Sequence, residues 1–205
     1  MMKKIFLASS FKDVANIFAT FANNPSGKTV TFIPTASKVE KVVFYVNSGR
    51  KSLEKLGLIV DVLEISTATA EEISAKIKGN DFIYVTGGNT FFLLQELQRT
   101  GADKIIIDEV NNGKLYIGES AGAMIASATV EYAKEMDSVK KAPELASFDA
   151  LGLVDFYTVP HCTNAPFKKS AQKIADNYSS TLRLSLISNN EAILVENDLV
   201  KIEKI

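Results

Sequence analysis

Three turns of the chain carry the residues that could do chemistry. In Tyr116-Ile117-Gly118-Glu119-Ser120-Ala121-Gly122-Ala123-Met124 an apolar run enters Gly-x-Ser-x-Gly and continues into sequence that favours helix. That is the context of a nucleophile elbow, in which serine sits on a tight, strained strand-to-helix turn and its hydroxyl stands above the sheet. Gly118 and Gly122 are small where the chain must pass close by. The Ala121 N–H, at the start of the following helix, is a natural oxyanion donor. The competing reading makes Ser120 an ordinary helix cap.

A second turn, Gly87-Gly88-Asn89-Thr90, follows the apolar run Asp81–Thr86. Two glycines at a strand end let backbone N–H groups approach a ligand. Gly88 is therefore a candidate second oxyanion donor, with Asn89 and Thr90 as candidate substrate contacts. Neither Gly-x-x-x-x-Gly-Lys-Ser/Thr nor Gly-x-Gly-x-x-Gly occurs, so a nucleotide phosphate is not indicated.

The third turn holds the only imidazole. A serine hydroxyl needs a base within hydrogen-bond reach, most often histidine, and the chain has one His among its 205 residues. His161 follows the run Phe156–Val159 and Pro160, which places it at a strand end. The single Cys, Cys162, is its neighbour. A third group should orient the imidazole. Glu131, Glu135, Asp137, Glu144, Asp149 and Asp155 lie between serine and histidine, and spacing does not choose among them.

Positioning these turns requires alternating strands and helices. Short β-branched runs at Lys4–Ala8, Thr29–Ile33, Leu58–Leu63, Asp81–Thr86, Leu115–Gly118 and Phe156–Val159 read as strands. Segments of helical period fall at Val14–Ala22, Val39–Leu56, Ala70–Ile77, Thr90–Leu97 and Asp103–Asn111. The pattern predicts an α/β fold: a three-layer, doubly wound, mostly parallel sheet whose strand ends collect ligands. Ser127–Leu151 reads as an irregular excursion with room for a hairpin, and Phe167–Tyr178 as a helix. The runs Arg183–Ile187, Ala192–Glu196 and Leu199–Ile205 read as a small antiparallel meander at the sheet edge. No repeat or linker divides the chain, so residues 1–205 are expected to form one domain.

Four motifs taken together resemble the peptidase E, or aspartyl dipeptidase, family of serine peptidases, with cyanophycinase as a more distant relative. They are Gly87-Gly88-Asn89-Thr90-Phe91, Gly118-Glu119-Ser120-Ala121-Gly122-Ala123, Phe148-Asp149-Ala150-Leu151-Gly152-Leu153 and Pro160-His161-Cys162-Thr163-Asn164. The resemblance implies a fold like that of class I glutamine amidotransferases and a cytoplasmic exopeptidase that prefers N-terminal Asp. It implies Ser120 as nucleophile, His161 as base, and Gly88 and Ala121 as the oxyanion hole. The family's acid matches Glu135, where Asp is usual, with Asp137 as the fallback. The family's Asp-recognising Arg falls on a helix that here reads Phe167-Lys168-Lys169-Ser170; Lys168 or Lys169 is the substitute cation, without the bidentate fork of Arg.

Composition sets outer limits. Lys+Arg 23 against Asp+Glu 24 gives a net charge of -1, unlike the basic surface of a nucleic-acid binder. One Cys cannot form an internal disulfide, and a lone free thiol suits a reducing compartment. One His and one Cys leave no His- or Cys-rich metal centre; a carboxylate-only Mg²⁺ or Ca²⁺ site survives that count, but no ligand-spaced acidic loop is present, so neither metal nor cofactor is expected. The basic start, Met1-Met2-Lys3-Lys4, reads as the entry to a first buried strand and not as a secretory leader. No apolar stretch approaches a membrane span. The expectation is a soluble, cytoplasmic serine peptidase acting on a short peptide. The alternatives are a binding module on the same fold, or a hydrolase of another small ester or amide.

Overall fold

The computed structural model describes residues 3–205; Met1 and Met2, part of the expected strand entry, lie outside them. Among the described residues nine strands and seven α-helices alternate through most of the sequence. The strands are β1 (Lys4–Ala8), β2 (Thr29–Ile33), β3 (Ile59–Val62), β4 (Phe82–Val85), β5 (Leu115–Glu119), β6 (Tyr157–Val159), β7 (Leu184–Leu186), β8 (Glu191–Glu196) and β9 (Leu199–Lys204). The helices are α1 (Phe11–Phe21), α2 (Phe44–Lys55), α3 (Ala70–Gly79), α4 (Thr90–Thr100), α5 (Ala102–Asn111), α6 (Ala121–Met124) and α7 (Lys168–Tyr178).

Seven strands form one sheet in the order β3-β2-β4-β5-β1-β8-β9. The first five pair in parallel, while β8 runs antiparallel to β1, and β9 to β8. The central strands are apolar throughout because both faces are covered, as parallel sheets require. Ile5 and Leu7 of β1 join Ile83, Val85 and Tyr116 in a core closed by α3 to α7. Phe6 and Ala8 point to the other face, with Phe32, Tyr84 and Ile117, under α1 and α2. There Phe6 meets Phe11 and Phe18 edge to face, with ring centroids 6.1 and 5.4 Å away. These contacts hold the first turn of α1 against the end of β1.

The expected three-layer α/β sheet is therefore present, but the tail is arranged differently from the predicted meander. Only β8 and β9 form a hairpin at the edge. The run expected at Arg183–Ile187 supplies β7, which leaves the main sheet and pairs in parallel with β6. Helix α7 is the crossover between β6 and β7, so the three make a separate βαβ unit. Both sides of β1 in the main sheet are taken, by β5 and β8, so β6 does not pair there.

Two further boundaries move. Helix α2 starts at Phe44 and not at Val39, because Glu40 reaches Lys141 at 2.6 Å and Val42 and Val43 stand exposed in the irregular approach. The excursion from Ser127 to Leu151 contains two short 3₁₀ segments, Glu131–Glu135 and Val139–Lys141, and one antiparallel bridge between Thr129 and Asp149. Among the described residues no helix is long and apolar enough to cross a membrane.

Candidate active site

Adjacent strands end together, and their ends supply the site. In the order β4-β5-β1 the carboxyl ends deliver Gly87-Gly88, Ser120 and Ser9 side by side. Ser120 takes φ 51° and ψ −107°, a conformation that costs an L-residue of order 1–3 kcal/mol and survives only where its surroundings fix it. Those surroundings are visible. The Ser120 N–H donates to the Ala8 carbonyl at 2.8 Å, and the Tyr116 hydroxyl donates to the Gly122 carbonyl at 2.7 Å. A Cβ at Gly118 would overlap the Gly122 carbonyl, and one at Gly122 would overlap the Val85 carbonyl. Both glycines are thus required by close backbone approach. The helix after the elbow, α6, has four residues, so it offers local N–H groups and little accumulated dipole.

His161 reaches Ser120 from the smaller sheet. It follows β6, with φ 58°, and its N–H donates to Ser9 Oγ at 2.9 Å while Ser9 Oγ donates to the Ile187 carbonyl at 3.1 Å. The ring stacks on Phe167, with centroids 5.0 Å apart. Nε2 lies 3.1 Å from Ser120 Oγ.

Nδ1 lies 2.7 Å from Asn189 Oδ1. An amide oxygen only accepts, so Nδ1 carries the hydrogen and Nε2 presents its lone pair to the serine. Burial lowers the His161 pKa, opposed by the bond to Asn189; the ring is held neutral and able to accept a proton. Asn189 is anchored in turn, since its N–H donates to Asn164 Oδ1 at 3.0 Å and the Asn164 N–H donates to the His161 carbonyl.

The expected acid is elsewhere. Glu135 Oε1 accepts from Asn177 Nδ2 at 3.2 Å, joining the 3₁₀ segment to α7 on the surface. Asp137 lines the cavity, but its Oδ2 accepts from the Thr90 N–H at 2.9 Å and the Thr90 hydroxyl at 2.5 Å. No carboxylate touches the imidazole among the described residues. Asn189 lies outside the stretch between the serine and the histidine in which Asp or Glu was expected. Asn189 belongs to the Ser188-Asn189-Asn190 turn after β7, and its one signal was a turn tendency.

The remaining expectations divide. The N–H groups of Gly88 and Ala121 have no acceptor among the described residues. Gly88 has φ 138° and a Cβ there would overlap the Ala36 carbonyl, so the close turn needs glycine. Asn89 is a structural cap: its Oδ1 accepts from the Phe92 N–H at 2.9 Å and its Nδ2 donates to the Ser138 carbonyl at 3.2 Å. Thr90 is fully buried and occupied by Asp137. Lys169 is exposed on α7 and does not line the cavity. Cys162 is half-buried outside it, with burial raising its thiol pKa.

The cavity over Ser120 encloses about 650 Å³. One side of its lining is apolar, with Val42, Phe44, Met136, Pro166 and Phe167, and the charged residues there are Lys12, Asp13, Glu40, Glu119, Asp137 and Lys141. Glu119 is buried beside the nucleophile. It accepts from the Phe11 N–H at 2.9 Å and from the Tyr84 hydroxyl at 2.8 Å, and burial pushes its carboxyl up to about 7. Among the described residues no group of three or more His, Cys, Asp or Glu is placed to hold a metal ion.

A nucleophile elbow facing an imidazole in this fold can be compared with known proteins. The profile of peptidase family S51 matches residues 5–203. The chain belongs to that family. An uncharacterized peptidase of Listeria innocua, also similar to this S51 chain, is 60% identical over 199 residues, 97% of this chain and 95% of the relative. Peptidase E of a Nostoc species is 31% identical over 172 residues, covering 80% of this S51 chain and 68% of its own length. A crystal structure of a Listeria monocytogenes EGD-e protein given the peptidase E designation superposes with a TM-score of 0.96 and 56% identity, each chain covered to 100%.

Proposed function

We propose that this S51 peptidase is a serine hydrolase of short peptides working through a Ser120–His161–Asn189 triad. The observation that carries the reading is the 3.1 Å approach of His161 Nε2 to Ser120 Oγ at the floor of a cavity large enough for a peptide. Ser120 Oγ attacks the scissile carbonyl carbon and its proton passes to His161 Nε2. The oxyanion takes hydrogen bonds from the N–H groups of Gly88 and Ala121. Collapse breaks the C–N bond, and the imidazolium gives its proton to the departing amine. Water, deprotonated by the same nitrogen, then releases the acyl group.

Asn189 fixes the tautomer, as an asparagine does in papain-like Cys-His-Asn sites. Being neutral, it stabilises the imidazolium less than a carboxylate would. That favours retention of mechanism with a weaker base over a pocket that only binds, because the serine and both ring nitrogens keep working geometry.

Aspartyl specificity has weak support. Asp13, Glu40 and Asp137 within the cavity oppose an acidic side chain, Lys169 lies outside it and Lys141 is held by Glu40, which leaves Lys12 as the lining lysine without an ion pair among the described residues. We therefore place the chain among peptidases of small peptides without an N-terminal Asp preference, in a cytoplasmic setting suited to its free thiol. Fluorophosphonate labelling tests the mechanism. An adduct on Ser120 that is lost or slowed about 10²–10⁴-fold in His161→Ala supports it; an unlabelled Ser120 in folded protein rejects it.

A further inference from the structure

Two polar atoms on the cavity wall are left without a protein partner. Tyr45 enters the lining from the first turn of α2, its ring beside Gly87, where a Cβ would lie 3.7 Å from Tyr45 Cε2. Its hydroxyl oxygen is enclosed and has no hydrogen-bond partner. Asp137 lines the same cavity with Oδ2 occupied by Thr90, while Oδ1 has no partner among the described residues. An enclosed hydroxyl is normally satisfied, so the Tyr45 oxygen calls for a ligand where the chain offers no partner, and Asp137 Oδ1, which is not enclosed, is open to share it.

The surrounding charge indicates the sign of that ligand. Burial raises the Tyr45 pKa most, and Glu40, Glu119 and Asp137 raise it further. Burial also raises the Asp137 carboxyl; the bonds from Thr90 oppose this, Glu40 adds to it and Lys141 offsets part of it. Lys141 does not pair with Asp137, because its Nζ is held by Glu40 Oε1 at 2.6 Å. Asp137 forms no ion pair among the described residues, and Lys12 and Asp13 complete the charged lining. Capping the first N–H of α4 accounts for Oδ2 alone and leaves both Oδ1 and the Tyr45 hydroxyl unexplained.

The geometry points to a cation subsite beside the nucleophile, in which Asp137 Oδ1 and the Tyr45 hydroxyl oxygen accept hydrogen bonds from a positively charged nitrogen of the substrate. An ammonium or guanidinium has only donors to offer, which suits the Asp137 carboxylate and the lone pairs of the Tyr45 hydroxyl, both in the lining of one cavity. The nitrogen has two possible sources in a short peptide, the free α-ammonium and a Lys or Arg side chain. This inference rests on the peptidase reading for the word substrate, but its test does not require turnover.

Calorimetry on the Ser120→Ala protein with Lys-Ala, norleucyl-Ala, Asp-Ala and the N-acetyl forms of the first two provides that test. Binding that survives acetylation of Lys-Ala but is absent in N-acetyl-norleucyl-Ala assigns the side chain, and loss of both on acetylation assigns the α-ammonium. Adding Asp137→Asn, which keeps a capping oxygen for Thr90, should weaken the cationic peptide about tenfold to a hundredfold, and Tyr45→Phe about tenfold. Neither change should confer binding of N-acetyl-norleucyl-Ala. No binding of any peptide that carries an ammonium, or an undiminished affinity for the cationic peptides in both variants, overturns the subsite. Labelling of wild-type Ser120 is read separately: label without cation preference removes the subsite alone, and cation preference without label removes the hydrolytic mechanism alone.

Discussion

Asn189 Oδ1 lies 2.7 Å from His161 Nδ1, so an uncharged side chain occupies the place where a serine hydrolase usually sets a carboxylate. The bond orients the ring and fixes its tautomer but offers no charge to the imidazolium formed during attack. Asn189→Asp should raise kcat/KM about tenfold, since a charge-assisted bond is roughly twice as strong as a neutral one. Asn189→Ala should lower it by a similar factor or more. Steady-state kinetics on one peptide substrate checks both, and an inactive Asn189→Asp protein would argue that the site depends on a neutral partner.

The pH profile follows from the same ring. Burial depresses the His161 pKa, and the neutral form is the base, so the acid limb of kcat/KM should lie below the ordinary imidazole value of about 6.5. Asn189→Asp should move that limb upward. The folded state binds the His161 proton less readily than the unfolded chain, so this residue favours folding at neutral pH. That contribution fades as pH falls through about 6.5 toward the folded pKa.

Glu119 has the opposite sign. Its folded pKa of about 7 exceeds its ordinary value of 4.5, so the folded protein holds a proton that the unfolded chain releases, and stability drops as pH rises through that window. At roughly 1.4 kcal/mol per pKa unit the drop amounts to about 3 kcal/mol. Glu119→Gln mimics the protonated form, with its oxygen for the Phe11 N–H and its amide for the Tyr84 hydroxyl. Urea unfolding should show this variant more stable than wild type at pH 8 and nearly level with it at pH 4; a wild-type pH slope unchanged by the substitution would contradict the assignment.

Gly122→Ala should be severe, because the added methyl meets the Val85 carbonyl on the neighbouring strand. Overpacking against backbone costs about 1–3 kcal/mol, and relief requires moving the elbow. Loss of Ser120 labelling should therefore exceed what the fall in melting temperature predicts. Gly79, where a Cβ meets nothing within 4 Å, is the control site.

Glu135→Ala separates this site from one built on an acid at that position. Glu135 bonds Asn177 at the surface, so kcat/KM should stay within about twofold and stability within about 0.5 kcal/mol. A large loss of rate would place Glu135 in the catalytic chain in solution.

Much of this arrangement was readable in the residues. The apolar runs marked the central strands because both faces of a parallel sheet are buried, and the glycines around Ser120 marked a turn that only glycine permits. A single imidazole made His161 the candidate base by count. Asn189 was hidden because asparagine is common in turns and the chain separation from His161 carries no period. The pairing of β6 with β7 was equally hidden, since a three-residue strand reads alike in either sheet. Asn89 and Thr90 were ambiguous because a capping side chain and a ligand-binding one have the same residue types; their bonds tie both into the start of α4, and Asn89 also lines the cavity.

The βαβ unit of β6, α7 and β7 carries both His161 and Asn189 at its strand ends, while Ser120, Gly88 and Ala121 belong to the main sheet. The proposed base and its orienting partner thus ride on one separately paired unit and the proposed nucleophile on the other, joined where His161 meets Ser120 and where Ser9 bonds His161 and Ile187. A shift of the smaller unit as a body would therefore change the distance from base to nucleophile while leaving Asn189 in place on His161.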